Sequence, residues 1–184
     1  VQLNARGPNF YWGIGDVATR EVIDDLATRF GADRTRIYIT GGSMGGTGAF
    51  RQGVVHPDYI ACAAGVDGWT HYGEWHWHWY ARKDQRDDIE EFRRPLLEAS
   101  SPFFLAERAL WGDVYVIADG RDDVVYPWQG IELANRLLDL GIDEPGLYSS
   151  GLTLHYDKGH GGGYNIEWIY KYFLGKTTAD DPSH

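Results

Sequence analysis

The chain carries one serine set among glycines, "GGSMGG" at Gly41–Gly46, directly after the β-branched run "RIYIT" and directly before the small-residue run "GTGAFRQGVVH". Gly41, Ser43 and Gly45 satisfy G-x-S-x-G in the strand–turn–helix setting that gives this motif its chemical meaning. A sharp reversal there puts Ser43 in a strained backbone conformation, and glycines two positions to either side remove the Cβ atoms that would collide. Gly46 and Gly48 extend the small surface, so the following helix can pack closely on a sheet. The start of that helix offers free N–H groups and a positive dipole, which makes the Met44 N–H a candidate oxyanion donor.

A nucleophilic serine needs a base, and the base needs an orienting acid. His160, in the glycine-flanked "DKGHGGGY", is the candidate base; His155 falls inside the strand-like "LTLHYD" and His56 stands at a helix end before Pro57. The acid is expected in "VYVIADGRDDVVYP", where Asp123 is chosen over Asp119 and Asp122 because Gly120, Asp123 and Pro127 fit G-x-x-D-x-x-x-P, a pattern that resembles the acid loop of many hydrolases. The order Ser43, Asp123, His160 then describes an acyl-transfer site.

These residues must be held by elements, and the pattern supplies them. "VQLN" reads as a short strand. "GIGDVATREVIDDLATRF" has helical apolar spacing and stops at Gly31. "RIYIT", "YIACAAGV", "DVYVIAD" and "LTLHYD" read as strands, while "PWQGIELANRLLDLG", opened by Pro127, and "YNIEWIYKYFLG" read as helices. Strands alternating with helices predict an α/β fold with a mostly parallel sheet covered on both faces. The length of 184 residues predicts a single domain spanning 1–184.

Residues 68–110 break the alternation and read as a mostly helical insertion or lid. They open on "WTHYGEWHWHWY", which sits at the carboxyl end of a predicted strand, where ligands bind in open α/β sheets. Trp69, Trp75 and His71 are therefore candidate substrate-binding residues, with Trp77, Trp79, His76 and His78 beside them; packing of the insertion on the core is the competing reading. Glu74, His76 and His78 recur with no second pair at ligand spacing, so no metal site is expected.

The net charge of −10 argues against a nucleic-acid partner, because phosphate contacts require basic patches. No apolar run reaches membrane-spanning length. The compartment is left open.

The stretch "RIYITGGSMGGTGAFRQGVVHPDYIACAAGVDGW", with "SSPFFLAE", "DGRDDVVYP" and "KGHGGG", resembles the α/β-hydrolases. It is similar to the branch of feruloyl and acetyl-xylan esterases and polyhydroxyalkanoate depolymerases, neighbours of the prolyl oligopeptidases. The resemblance implies a serine esterase that needs no cofactor and acts on a small-molecule or polysaccharide-linked ester. A prolyl oligopeptidase-like peptidase, or a non-catalytic carbohydrate- or protein-binding module, are the alternatives. In such proteins several strands precede the region matching "VQLNARG", and one of their loops gives the second oxyanion donor. The resemblance thus implies an N-terminally incomplete fold, its sheet completed by a missing N-terminal segment or a partner chain.

Overall fold

A computed structural model describes residues 1–4, 11–76, 87–141 and 151–178. The helix α1 (Ile14–Phe30) ends where Gly31 turns left-handed at φ +67°. Strand β1 (Tyr38–Gly42) runs into α2 (Met44–Val55), and β2 (Cys62–Val66) follows. Short α3 (Tyr72–His76) and α4 (Asp87–Glu98) lead through 3-10 turns at Ala106–Trp111 to β3 (Asp113–Asp119). Helix α5 (Pro127–Asp139), β4 (Gly151–His155) and α6 (Ile166–Phe173) complete the order. None of the helices among the described residues is long and apolar enough to cross a membrane.

The strands form one sheet in the order β1-β2-β3-β4, and every pairing is parallel. Parallel strands need crossovers that cover both faces, and β2 is accordingly buried at every position. On one face Phe50 and Val54 of α2 and Leu133 and Leu137 of α5 pack on Val114 and Val116. Helix α1 joins this face through Ile23, which packs with Ala63. On the other face Ile169 and Phe173 of α6 pack on Cys62, Ala64, Val66 and Ile117. The expected α/β architecture is the one observed.

One expectation fails. Val1–Asn4 forms no strand. It faces β1 across a cavity and makes no ladder with it, and propensity alone does not hold an isolated strand. The outer edge of β1 is left without a strand partner among the described residues. A cavity of about 730 Å³ runs along it, walled by Tyr38–Gly42, by Val1–Leu3 and by Tyr164, Ile166 and Tyr170.

Candidate active site

The parallel sheet delivers the carboxyl ends of its strands to one rim, and the polar residues of interest gather there. Hydrogen bonds continue each ladder past the strand end. The Ser43 N–H donates to the Val66 carbonyl (2.8 Å), the Asp67 N–H to the Ile117 carbonyl (2.9 Å) and the Gly120 N–H to the His155 carbonyl (2.7 Å).

After β1 the chain turns through Ser43 at φ +54°, a left-handed value rare for a residue with a side chain. A Cβ on Gly41 would stand 2.6 Å from the Gly45 carbonyl carbon, so the turn closes only with glycine there. Gly46 has the same role one turn on, where α2 crosses β2 against the Val66 backbone. Ser43 occupies the N-cap position of α2 but its side chain makes no capping bond. Its Oγ is turned instead to His160, 2.9 Å from Nε2. Met44 is the first residue of α2, so its N–H lies among the first-turn donors that have no acceptor within the helix.

The other ring nitrogen of His160, Nδ1, lies 2.8 Å from Asp122 Oδ2. This corrects the expectation for the acid: Asp122 stands on the imidazole, and Asp123 is exposed. The reason is local. Asp122 Oδ1 accepts the N–H groups of Val124 and Val125, both at 2.8 Å, which curls the loop around its carboxylate and leaves Oδ2 for the histidine. The Asp122 carboxylate is fully buried while the His160 ring is partly open to solvent. Bound on one side to a carboxylate, Nδ1 carries the proton, and Nε2 is left to accept from the Ser43 hydroxyl.

Two further acids hold the histidine loop. Asp119 Oδ2 accepts the Lys158 N–H (2.8 Å) and Oδ1 the Arg121 N–H (2.7 Å). Burial pushes the Asp119 carboxyl up, but the N–H groups of Arg121, Lys158, Gly159 and Asp157 outweigh it and keep the group below the usual carboxylate range. Asp67 accepts from Asp119 N–H through Oδ1 (3.0 Å) and from Gly161 N–H through Oδ2 (2.6 Å). Sequence reasoning gave Asp67 no role. The available signal was its place immediately after a buried parallel strand.

Donor atoms of Asp67, Asp122 and His160 fall within 4.8 Å of one another, close enough for a shared cation. The hydrogen bonds to backbone N–H groups, to each other and to Ser43 already engage them. That pattern is one of internal satisfaction.

The aromatic candidates are placed differently. Trp69 is only 4% exposed and stacks on Trp75 at 4.2 Å between ring centroids. With Tyr72 these rings pack on Val124 and Val125, so they support the acid loop from behind. His71 is 8% exposed, stacked on Phe103 at 4.2 Å, with Nδ1 3.0 Å from Thr70 Oγ1. Burial pushes its pKa down to about 4, against a weaker raising effect from Glu98. Its Nε2 lies 3.3 Å from Glu132, a half-exposed carboxylate that solvent screens. The enclosure of Trp69 and His71 favours the packing reading over the expected substrate contacts, since rings so buried offer little face to a ligand. Trp75 is half-buried in the same stack. Trp77, His78 and Trp79 lie outside the described residues.

Residues 15–174 match the prolyl oligopeptidase family (Peptidase_S9). The chain belongs to that family of serine hydrolases, and its sheet is that of the α/β-hydrolases. No curated protein sequence is significantly similar to it. Among solved structures it is similar to an acylaminoacyl peptidase from Pyrococcus horikoshii, with a TM-score of 0.69 at 18% identity over 91% of this chain and 28% of that one. A puromycin hydrolase gives 0.67 at 18% identity, over 92% and 25%. An esterase from Pyrococcus furiosus gives 0.58 at 16% identity, over 86% and 60%. The chain thus spans about a quarter of the length of the first two.

Proposed function

We propose that this chain carries the acyl-transfer centre of a serine hydrolase, residues 1–184 forming part of one catalytic domain. The observation that supports it is the continuous hydrogen-bonded run from Ser43 Oγ through His160 to Asp122. Ser43 Oγ attacks the acyl carbon while His160 Nε2 takes its proton and then gives it to the leaving group. Asp122 keeps the proton on Nδ1 and stabilises the charged ring. The Met44 N–H receives the developing oxyanion. Water, activated by the same imidazole, releases the acid and frees Ser43.

One oxyanion donor is worth about 3–4 kcal/mol of transition-state stabilisation, and a second of similar worth is expected. On this reading the edge of β1 that has no strand partner among the described residues takes a further strand, from an N-terminal segment or a partner chain, and that segment brings the second donor.

The preferred substrate is a carboxylic ester, on a small molecule or a polysaccharide. A peptide substrate is the second reading, favoured by the match to a peptidase family. The two are separated by substrates sharing one acyl group, presented as an ester and as an amide to the full-length protein. A kcat/KM for the amide close to that for the ester would establish the peptidase. Reaction with a fluorophosphonate probe tests the site itself: labelling at Ser43 is expected, and its absence would leave a binding module.

A further inference from the structure

Asp67 is one of three non-glycine residues with positive φ among the described residues, at +48°, and it is 3% exposed. Ser43 is another, one strand away. A left-handed aspartate and a buried carboxylate each cost free energy, and the two coincide beside a reacting centre. Nothing in the packing of β2 requires an acid there. Each carboxylate oxygen is instead spent on a backbone N–H from a different loop: Asp119 at the end of β3, and Gly161, next to His160.

We infer that Asp67 is a positioning residue for His160, fixing the imidazole loop to the sheet and placing a second negative charge beside the ring. The inference rests on the reading of Ser43, Asp122 and His160 given above. Its geometric core is the clamp on Gly161. A glycine-flanked loop has many conformations, and His160 must hold two hydrogen bonds of 2.8 and 2.9 Å at once. Asp119 anchors the loop before the histidine and Asp67 anchors it after.

Among the described residues, few charged groups face this pair. Asp122 comes from the loop after β3, Asp119 from β3 itself, and Lys158 from the histidine loop, where its Nζ pairs outward with Asp157 (3.3 Å). The start of α2 adds its dipole beneath Ser43. Burial pushes the Asp67 carboxyl above the usual range, with the Asp122 charge adding to this and the Gly161 and Asp119 N–H groups opposing it. Ionised Asp67 favours the charged imidazole that forms in the reaction.

The test is Asp67→Asn in the full-length protein, measured by the rate of fluorophosphonate labelling and by kcat/KM against pH. The amide keeps one acceptor but turns its NH₂ toward the other backbone N–H, so one clamp bond is lost together with the charge. Labelling rate and kcat are expected to fall about 10- to 100-fold, with KM within about twofold, as misplacing a catalytic group does. The acid limb of the pH profile is expected to move down, because an attracting charge has gone. A purely structural role would lower the melting temperature and leave that limb in place. Asp67→Gly tolerates the positive φ and removes both bonds and the charge; it carries the test if the amide variant does not fold. Wild-type labelling with both variants within twofold and an unmoved acid limb would overturn the inference. Absent labelling in the wild type would instead overturn the reading of Ser43 on which it rests.

Discussion

The strand-end loops bearing Ser43, Asp122 and His160 differ from the aromatic segment from Trp69 to Trp75, which packs on the Asp122 loop through Val124 and Val125, in where their side chains are aimed. In the loops nearly every polar atom is assigned. Asp122 satisfies two backbone N–H groups and a histidine, and Asp67 and Asp119 tie four loop or strand positions between them. The aromatic segment adds ring stacking and enclosure to backbone anchors: Gln129 Oε1 accepts the Thr70 and His71 N–H groups and Ser101 Oγ the Tyr72 N–H. What separates a proposed reacting group from a packing group here is whether its heteroatoms are aimed at one another across strand ends.

That contrast is broken or sharpened by substitution. The largest expected effect is Ser43→Ala, which should lower kcat by about 10⁶-fold and abolish fluorophosphonate labelling while the melting curve stays put. Asp122→Asn should lower kcat by about 10⁴-fold through the wrong imidazole tautomer. Asp123→Asn should change it by no more than about twofold, as an exposed substitution does. Equal losses in the two would return the acid role to both residues.

Trp69→Ala should act on stability, by about 3–5 kcal/mol, seen as a melting point roughly 6–20 °C lower. The remaining folded enzyme should lose ester and amide activity in the same proportion. A loss confined to bulky aryl substrates at an unchanged melting point would make Trp69 a pocket wall after all.

The smallest effect concerns His71. Its folded pKa of about 4 lies below the model-peptide value of about 6.5, so the unfolded chain binds more protons between those values. Its contribution to stability is therefore complete above about pH 6.5 and is lost as pH falls toward 4, by about 3 kcal/mol. Urea titrations at pH 7 and pH 4 should show that much less loss in His71→Gln than in the wild type. An identical loss would mean that His71 is charged in the fold.

The alternation of strand and helix was legible because each β-branched run is bounded by glycine or charge and each helix has a stop such as Gly31. Ser43 and His160 were legible for a related reason: a close backbone approach demands glycine around the one, and glycine flanks the other. Asp122 was missed in favour of Asp123 because counting from Gly120 ignores the curl that an aspartate imposes by accepting N–H groups two and three residues on. Asp67 left no motif, since one acid after a strand has no spacing to read. Trp69 and His71 read as substrate contacts because residue type reports what a side chain can do, and only burial reports whether anything can reach it. Val1–Asn4 has strand-like residues, but pairing is a property of the neighbour.

Cys62 gives the molecule a built-in clock. It is the sole cysteine of the chain, it lies at the start of β2 with no exposed surface, and burial raises its thiol pKa well beyond the ordinary range. The reactive thiolate is therefore both shielded and scarce while the sheet is intact. An alkylating reagent can reach it only when the centre of the sheet opens. The rate of its modification then reports how much of the time the sheet is open, and comparing that rate with and without a covalent adduct at Ser43 would report how firmly an occupied rim staples the strands beneath it.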